Sequence, residues 1–445
     1  MDRKNDLTSG SLVSCMLRFS IPYLISCFLQ TFYGLADLYI IGRFNGATTL
    51  TAVAVGSQLM HMLTVIIVGL SMGVTVAISR AVGAKDKERA GIIIGNTVLF
   101  FACFAVLLTI LLVFKTEPIL KALSVPPEAF MEASDYVFIC FVGIPFITAY
   151  NVFCSIFRGL GDTRRPMVFV AVAGVINIVF DWLLIGPFGM GAKGAAVATV
   201  AAQGISVLLA VSPLLQRQGN LPVRHHHFHP DFETIRDLIS VGAPIALQDG
   251  FIQISFLIIT AIANTRGVNV AAAVGVVEKI ISFLFLVPSA MLSTVSATAA
   301  QNAGAELHKR GKQALRLGIH ISFSFGLLIF LLCQPLASTI ISLFSENNPA
   351  VVHLGTEYLR TYSLDCAFAG IHFCFSGYFS AYHHSGYSFL HNALSVLLVR
   401  IPGAWLAAQL FPATLIPMGL AAPLGSLFSS LVCLFLYNRH SEAWC

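Results

Sequence analysis

IIIGNTVLFFACFAVLLTILLVF, residues 92–114, is a run of twenty-three residues without one charged side chain. A bilayer core about 30 Å thick needs roughly 20 apolar residues of helix, so this stretch is long enough to cross one. Runs of similar size recur near 17–41, 52–79, 136–157, 167–185 and 194–215, and again near 239–262, 270–298, 314–333, 359–379, 390–410 and 415–437. Their length, their Leu, Ile and Phe content and the lack of alternating polar positions favour helices over a barrel. Composition points the same way: apolar residues make up 57% of the chain and charged residues 11%. A soluble domain carries about 25% charged residues, so this chain cannot cover a water-facing surface. The expected fold is all-α, a polytopic membrane protein of about twelve transmembrane helices.

Lysine and arginine set the orientation. With a cytoplasmic N-terminus, eighteen of the 26 fall on the cytoplasmic side and two, Lys279 and Arg400, inside helices. Only Arg43, Lys115, Lys121, Lys193, Arg266 and Arg360 fall outside. Both termini are therefore expected in the cytoplasm, and the net charge of +5 reflects this bias, with no nucleic-acid partner implied. Arg3 and Lys4 resemble a charged leader, but the apolar stretch after them is long enough to span and shows no small-residue cleavage site. The ten cysteines form no CxxC pair and read as small apolar packing residues.

The halves of the chain echo each other at an offset that drifts near 220 residues. Ile21-Pro22 answers Ala243-Pro244, and Ala54-Val55-Gly56 answers Ala273-Val274-Gly275. Gly83-Ala84 and its basic tail answer Gly304-Ala305 with Lys309, Arg310 and Lys312. Phe157 answers Phe379, and Met190-Gly191 answers Met418-Gly419. Six crossings per half is an even number, so both halves enter from one side. The expectation is two six-helix lobes, residues 1–215 and 239–445, joined by a cytoplasmic linker at 216–238 and related by a pseudo-two-fold axis along the membrane normal.

Catalytic and ATP-hydrolysing signatures are missing from the sequence: there is no GxxxxGK[ST] and no HExxH. Gly69-Leu70-Ser71-Met72-Gly73 matches GxSxG, but that motif needs a strand-to-helix turn and here lies within an apolar helix, where small-residue packing explains it. The histidine run His225-His226-His227-Phe228-His229 reads as linker rather than as a metal site.

The informative residues are acids inside the crossings. At mid-membrane an acid costs about 2.5–3.5 kcal/mol, so it marks an ion or substrate path. Asp37 in the first crossing and Asp181 in the fifth both fall toward the outer half of the N-terminal lobe. Gln30, Tyr33 and Asp37 share a helix face, Asn177 stands one turn before Asp181, and Thr199 and Gln203 are one turn apart. The competing reading of Asp37 is a cap at the end of its helix. In the second half Ile259 and Gly403 stand opposite the two acids, while Asp249, Glu278, Lys279, Asp365 and Arg400 occupy other registers. Asp249 and Gln253 share a face with Phe256 and Thr260. These groups read as a structural charge network first, with a second ion site and substrate contacts as the alternatives.

Phe157-Arg158-Gly159-Leu160-Gly161-Asp162-Thr163-Arg164, followed by Asn177-Ile178-Val179-Phe180-Asp181, makes a specific signal. With Ile21-Pro22, Asp37, Gly83-Ala84 and Gly191-Ala192-Lys193-Gly194-Ala195-Ala196, the chain over residues 10–440 resembles the multidrug and toxic compound extrusion (MATE) family, in its DinF-like branch. That resemblance implies a secondary antiporter of the bacterial plasma membrane, monomeric and without cofactor. It would expel organic, amphipathic or cationic compounds against inward protons or sodium ions. The family's ion site would map onto Asp37 and Asp181, lined by Gln30, Tyr33, Asn151, Asn177 and Thr199, with Pro22 as the hinge of the first helix. Asp249, Gln253, Glu278 and Asp365 would be contacts in the second lobe, Asp365 matching an acid of another branch only poorly. One departure is the loop Tyr382-His383-His384-Ser385, which stands where the first half reads Leu160-Gly161-Asp162-Thr163.

Paired acids suit such an exchange. Burial and a like-charged neighbour both favour the neutral form of a carboxyl group, and each inward charge releases about 2.3 kcal/mol per 100 mV. A flippase for a lipid-linked sugar is the nearer rival; it would need several cations for a pyrophosphate, and only Lys279 and Arg400 offer themselves. A membrane enzyme or receptor is the more distant one.

Overall fold

The computed structural model describes residues 6–215, 224–345 and 348–440. The first half contains α1 (Leu12–Phe44), α2 (Ala47–Gly83), α3 (Lys87–Phe114), α4 (Thr116–Ala122), α5 (Pro127–Val142), α6 (Ile144–Gly159), α7 (Arg164–Ile185) and α8 (Gly191–Leu215). The second contains α9 (Phe232–Asn264), α10 (Val268–Leu284), α11 (Leu286–Gly304), α12 (His308–Ser342), α13 (Pro349–Tyr362), α14 (Asp365–Ala381), α15 (Ser385–Ser395), α16 (Ile401–Leu410) and α17 (Ile416–His440). A 3-10 turn at His225–Phe228 precedes α9, and a π turn at Val396–Arg400 joins α15 to α16. There is no strand among the described residues.

Ten stretches are long and apolar enough to cross a bilayer, with α10–α11 and α15–α16 each counted once. The pair α5–α6, bent by 51°, is an eleventh. Its bend has a local cause: a side chain on Gly143 would lie 2.3 Å from Val200, and Pro145 cannot donate a backbone hydrogen bond. In the same place of the second half α13 and α14 part at Ser363-Leu364. Glu357, Arg360 and Asp365 make that pair less apolar, and it completes twelve crossings, six per half. On α3, Leu107, Leu111 and Phe114 form one stripe that is 68%, 57% and 80% exposed, as expected where lipid rather than water is the solvent.

The repeat is written in the backbone. Lys85 and Glu306 both take left-handed φ, 57° and 59°. Lys85 N–H donates to Val82 and Asp86 N–H to Ala81, as Glu306 does to Ala303 and Leu307 to Asn302. After the fourth crossing Gly161 (φ 82°) and His383 (φ 60°) are likewise equivalent. Gly161 N–H donates to Arg158 and Asp162 N–H to Phe157; His383 N–H donates to Ser380 and His384 N–H to Phe379. The loop that departs from the pattern in sequence thus keeps the turn, a histidine taking the conformation for which glycine is suited.

Packing divides the chain into two compact units, Arg18–Gly242 and Ala243–Cys445, with Leu7–Leu17 grouped with the second. The first has an apolar core around Ile41, Val53, Val137, Phe141 and Ile144; the second has one around Val274, Val277, Ile341, Tyr358 and Leu359. Within the first unit α2 and α6 zip together through hydroxyls. Ser71 Oγ lies 2.8 Å from Ser155 Oγ, Thr75 donates to the Ser155 carbonyl at 3.2 Å and Ser79 to the Gly159 carbonyl at 3.1 Å. Gly73 and Gly242 bring α2 and the start of α9 to backbone contact: a Cβ on either would fall about 2 Å from the carbonyl oxygen of Leu238 or Leu70. The Gly-Leu-Ser-Met-Gly stretch is helix packing of the small-residue kind.

Candidate functional site

Asp37 lies on α1, seven residues before its end, and is buried. Its helix has more than a turn to run, so the carboxyl is not a terminal cap. Asp181, on α7, is fully buried. The two carboxyl groups are neighbours. Oδ1 of Asp37 and both oxygens of Asp181 meet no protein donor among the described residues. Two ionised carboxylates side by side repel and have no hydrogen to share, so a proton or a cation between them would relieve that repulsion.

The neighbouring polar groups come from three helices. Tyr33, one turn before Asp37, packs its ring where a side chain on Gly174 of α7 would stand, 3.3 Å away. Its hydroxyl accepts from Gln203 Nε2 of α8 at 3.5 Å, and Gln30 stands about one turn before it on the same helix. Asn177 is buried with neither amide atom paired, and Thr199 Oγ1 and Gln203 Oε1 are also unpaired. Gln30, Tyr33, Asp37, Gly174, Asn177, Asp181, Thr199 and Gln203 therefore form facing stripes on α1, α7 and α8. Asn151 is buried on α6, and its amide donates to the Ile147 carbonyl of its own helix at 2.8 Å. Pro22 is buried inside α1, which continues through it, and Ser26 donates to its carbonyl at 2.8 Å.

One buried cation of this unit is hidden in the sequence, where Arg158 reads as a loop charge. The structure buries it on α6, its guanidinium 5.1 Å over the Tyr23 ring and its Nη2 2.5 Å from Ser155 Oγ. The signal lies in its placement one residue before Gly159, still inside the last turn of the helix.

In the second unit the acids differ in kind. Asp365 is fully buried and bound by Arg400 at 2.6 Å, and Arg400 also donates to Ser426 at 3.1 Å. The π turn makes this pairing, since one extra residue in the helix swings Arg400 toward α14. Glu278 on α10 accepts from Thr260 of α9 at 2.9 Å. Asp249 and Gln253 are half-buried on the same face of α9, and Asp249 has no ion-pair partner among the described residues. Lys279 is exposed.

On the linker, Glu88 is shared by His226 Nε2 at 2.8 Å and His227 Nε2 at 2.9 Å. These three groups are close enough to hold a metal ion. His227 Nδ1, however, accepts the backbone N–H of Arg224 at 2.9 Å, which leaves the proton on Nε2 as a donor to Glu88. A ligating imidazole needs the opposite tautomer, with its second N–H donated outward. Asp231 caps α9, accepting from Thr234 Oγ1 at 2.5 Å and from the Glu233 N–H. The Thr234 bond, with Arg89 3.4 Å away, holds its carboxyl below the usual aspartate value. Residues 216–223 of the linker lie outside the described residues.

A family model described as MatE matches residues 22–183 and again 244–406. The "Probable multidrug resistance protein YpnP" of Bacillus subtilis (strain 168) is 29% identical over 98% of this chain and 97% of its own. An "FAD transporter" of Shewanella oneidensis is 27% identical over 99% and 98%. A MATE crystal structure in the straight conformation is similar with TM-score 0.93 at 22% identity, covering 100% of this chain and 99% of that one. One in the bent conformation gives 0.92 at 22%, covering 100% and 98%. Each matched segment begins at the proline of its half, Pro22 or Pro244, and runs to the fifth crossing, so the family pattern spans both repeats. The chain belongs to the MatE family, the multidrug and toxic compound extrusion proteins.

Proposed function

We propose that this protein exports organic, mainly amphipathic and cationic compounds across the bacterial plasma membrane in exchange for protons or sodium ions, with both termini in the cytoplasm. The observation that carries this reading is buried Asp37 beside buried Asp181, with Oδ1 of the first and both oxygens of the second meeting no protein donor among the described residues. The pair takes up one positive charge, either as a shared proton or as a cation. Hard cations prefer oxygen ligands, and Asn177, Thr199 and Gln203 each offer an unpaired oxygen. An entering charge brings about 2.3 kcal/mol per 100 mV of membrane potential. If the loaded pair and the substrate favour opposite-facing states, one displaces the other, and exchange results. Pro22 removes a helical hydrogen bond from α1, fifteen residues before Asp37, and so gives the helix a place to bend. A related MATE protein in straight and bent forms supports that role.

Relatives bear on the cargo. The Bacillus relative is called a multidrug resistance protein, which fits an adaptable apolar lining. The Shewanella relative transports FAD, an anion; the acidic stripe here suits cationic and neutral compounds better. The lipid-linked sugar reading loses ground because Arg400 is taken by Asp365.

Sealed proteoliposomes under imposed proton and then sodium gradients test the proposal. Asp37→Asn and Asp181→Asn keep the shape and remove the charge, so each should abolish gradient-driven efflux. The double variant should be little worse, because the pair acts as one unit. Wild-type efflux by both well-inserted single variants would overturn the assignment.

A further inference from the structure

We infer that His391, neutral and protonated on Nδ1, is a positioning residue of the second unit that orders Ser376 and, through it, the amide of Gln248 on α9. Gln248, Ser376, His391 and Ser429 are all fully or almost fully buried, so each hydrogen must be accounted for. Ser429 donates its one hydroxyl hydrogen to the His391 carbonyl at 3.1 Å. With that hydrogen on the carbonyl, its oxygen, 3.2 Å from His391 Nδ1, is an acceptor and Nδ1 carries the proton. On the other side of the ring Nε2 lies 2.9 Å from Ser376 Oγ, which lies 3.2 Å from Gln248 Oε1.

With Ser429 donating to the carbonyl, two arrangements of hydrogens fit this chain; a hydroxyl turned to Nδ1 would give the opposite neutral tautomer and leave the Gln248 amide N–H groups unpaired, and the NMR experiment below separates the two. If Ser376 donates to Gln248, Nε2 must donate to Ser376; the ring is then an imidazolium, and the Gln248 amide N–H groups have no partner. If the Gln248 amide is turned over, it donates to Ser376, which donates to Nε2 of a neutral ring. Amide orientation is settled by such bonding, and the surroundings choose the second. The titratable neighbour of His391 is His372 of α14, whose ring centroid is 5.4 Å away. Beyond it lie Ser426 of α17 and Arg400, and Asp365 is committed to Arg400. Ser429 faces the ring from α17 and Gln248 from α9, and no carboxylate bonds to it. A buried imidazolium without a counter-ion is costly.

The consequence lies on α9. Gln248 precedes Asp249, and Asp249, Gln253, Phe256 and Thr260 make one stripe, with Thr260 holding Glu278. Fixing the Gln248 amide fixes the rotation of that stripe, which the reading of this protein as an exporter offers to the substrate. Substrate affinity should therefore depend on the His391–Ser376–Gln248 chain, while ion coupling, placed at Asp37 and Asp181, should not.

The test has two arms. Solid-state NMR of protein with 15N-labelled histidine in lipid bilayers, His391 being identified by its loss in His391→Gln, should show the neutral Nδ1–H tautomer at neutral pH. In proteoliposomes loaded with ethidium, His391→Asn keeps a donor near Ser429 but cannot reach Ser376. It should raise KM about tenfold with the maximal rate kept, the worth of roughly one buried hydrogen bond. Ser376→Ala should match it, the double variant should be no worse, and His391→Gln, which still reaches Ser376, should stay near wild type. An Nε2–H or imidazolium signal overturns the assignment whether or not ethidium is moved. Additive effects, or equal damage from Asn and Gln, overturn the positioning role while leaving the exporter reading intact.

Discussion

Asp365→Asn should damage this protein through its stability before its transport. Asp365 is wholly buried, Arg400 nearly so, and their 2.6 Å contact is backed by Ser426. Removing one partner strands a guanidinium in an apolar interior, and breaking such a buried pair costs about 3–5 kcal/mol. Arg400→Met should cost as much, now stranding the carboxylate. Replacing both at once, as Asp365→Leu with Arg400→Met, removes both charges and fills similar volume; such exchanges come out neutral or stabilising by about 1–4 kcal/mol. The coupling energy between the positions should then be about 6 kcal/mol or more, the two single losses of about 3 kcal/mol or more set against an unharmed double variant. Unfolding in detergent micelles titrated with sodium dodecyl sulfate, followed by far-UV circular dichroism, measures all four proteins. Single variants that each lose under about 1 kcal/mol, or losses that simply add, would show that the pair is solvated in the membrane and is no structural unit.

Four other outcomes are expected. Gly161→Ala forces a side chain into the left-handed region at φ 82° and should cost about 1–2 kcal/mol by the same titration. His383→Gly should be neutral within about 1 kcal/mol, because relief of strain is offset by the greater freedom of the unfolded glycine. Gly73→Ala places a methyl about 2 Å from the Leu238 carbonyl, so α2 and α9 must separate; a loss of at least about 1–3 kcal/mol is expected, read as poor monodispersity on gel filtration. Single cysteines placed at Lys87 and at Arg224 in a cysteine-free background should react with an impermeant maleimide only from the cytoplasm.

The crossings are legible in the sequence because a bilayer demands nearly the same length of apolar helix each time. The breaks at Gly143 and Ser363 are less so, since a glycine in an apolar run signals close approach only once its neighbour, Val200, is known. Spacing alone puts Gln30, Tyr33 and Asp37 on one face and Asn177 a turn from Asp181. That these faces meet is a matter of packing, as Tyr33 against Gly174 shows. Asn151 turns to its own helix, which no spacing predicts. The loop at Tyr382-His383-His384-Ser385 looks divergent because its side chains changed, yet its turn is held by backbone hydrogen bonds that side chains do not report. The Asp365–Arg400 pair depends on a one-residue shift of helical register, and a π turn leaves no mark in hydrophobic periodicity. Arg158 misleads for a related reason: a positive-inside count treats every terminal arginine as a loop charge, whereas this one lies over Tyr23.

The same repeat has thus been given opposite electrostatics in its two copies, and that difference bears on where an ion can act. A coupling site must change its charge as it loads and unloads. In the first unit two carboxyl groups are neighbours and, among the described residues, no cationic side chain forms an ion pair with either, which leaves their charge open to a proton or a metal ion. In the second, the fully buried acid is held by Arg400, and the guanidinium always carries its charge. Asp365 is then already neutralised, and taking up a further cation there would leave Arg400 stranded. Asp249 and Glu278, which form no ion pair with an arginine or lysine among the described residues, are half-buried and border one face of α9 and α10. Such a face is suited to holding a charged part of a solute weakly enough to release it. Ion coupling in one copy and cargo contact in the other is the division of labour that these charges support.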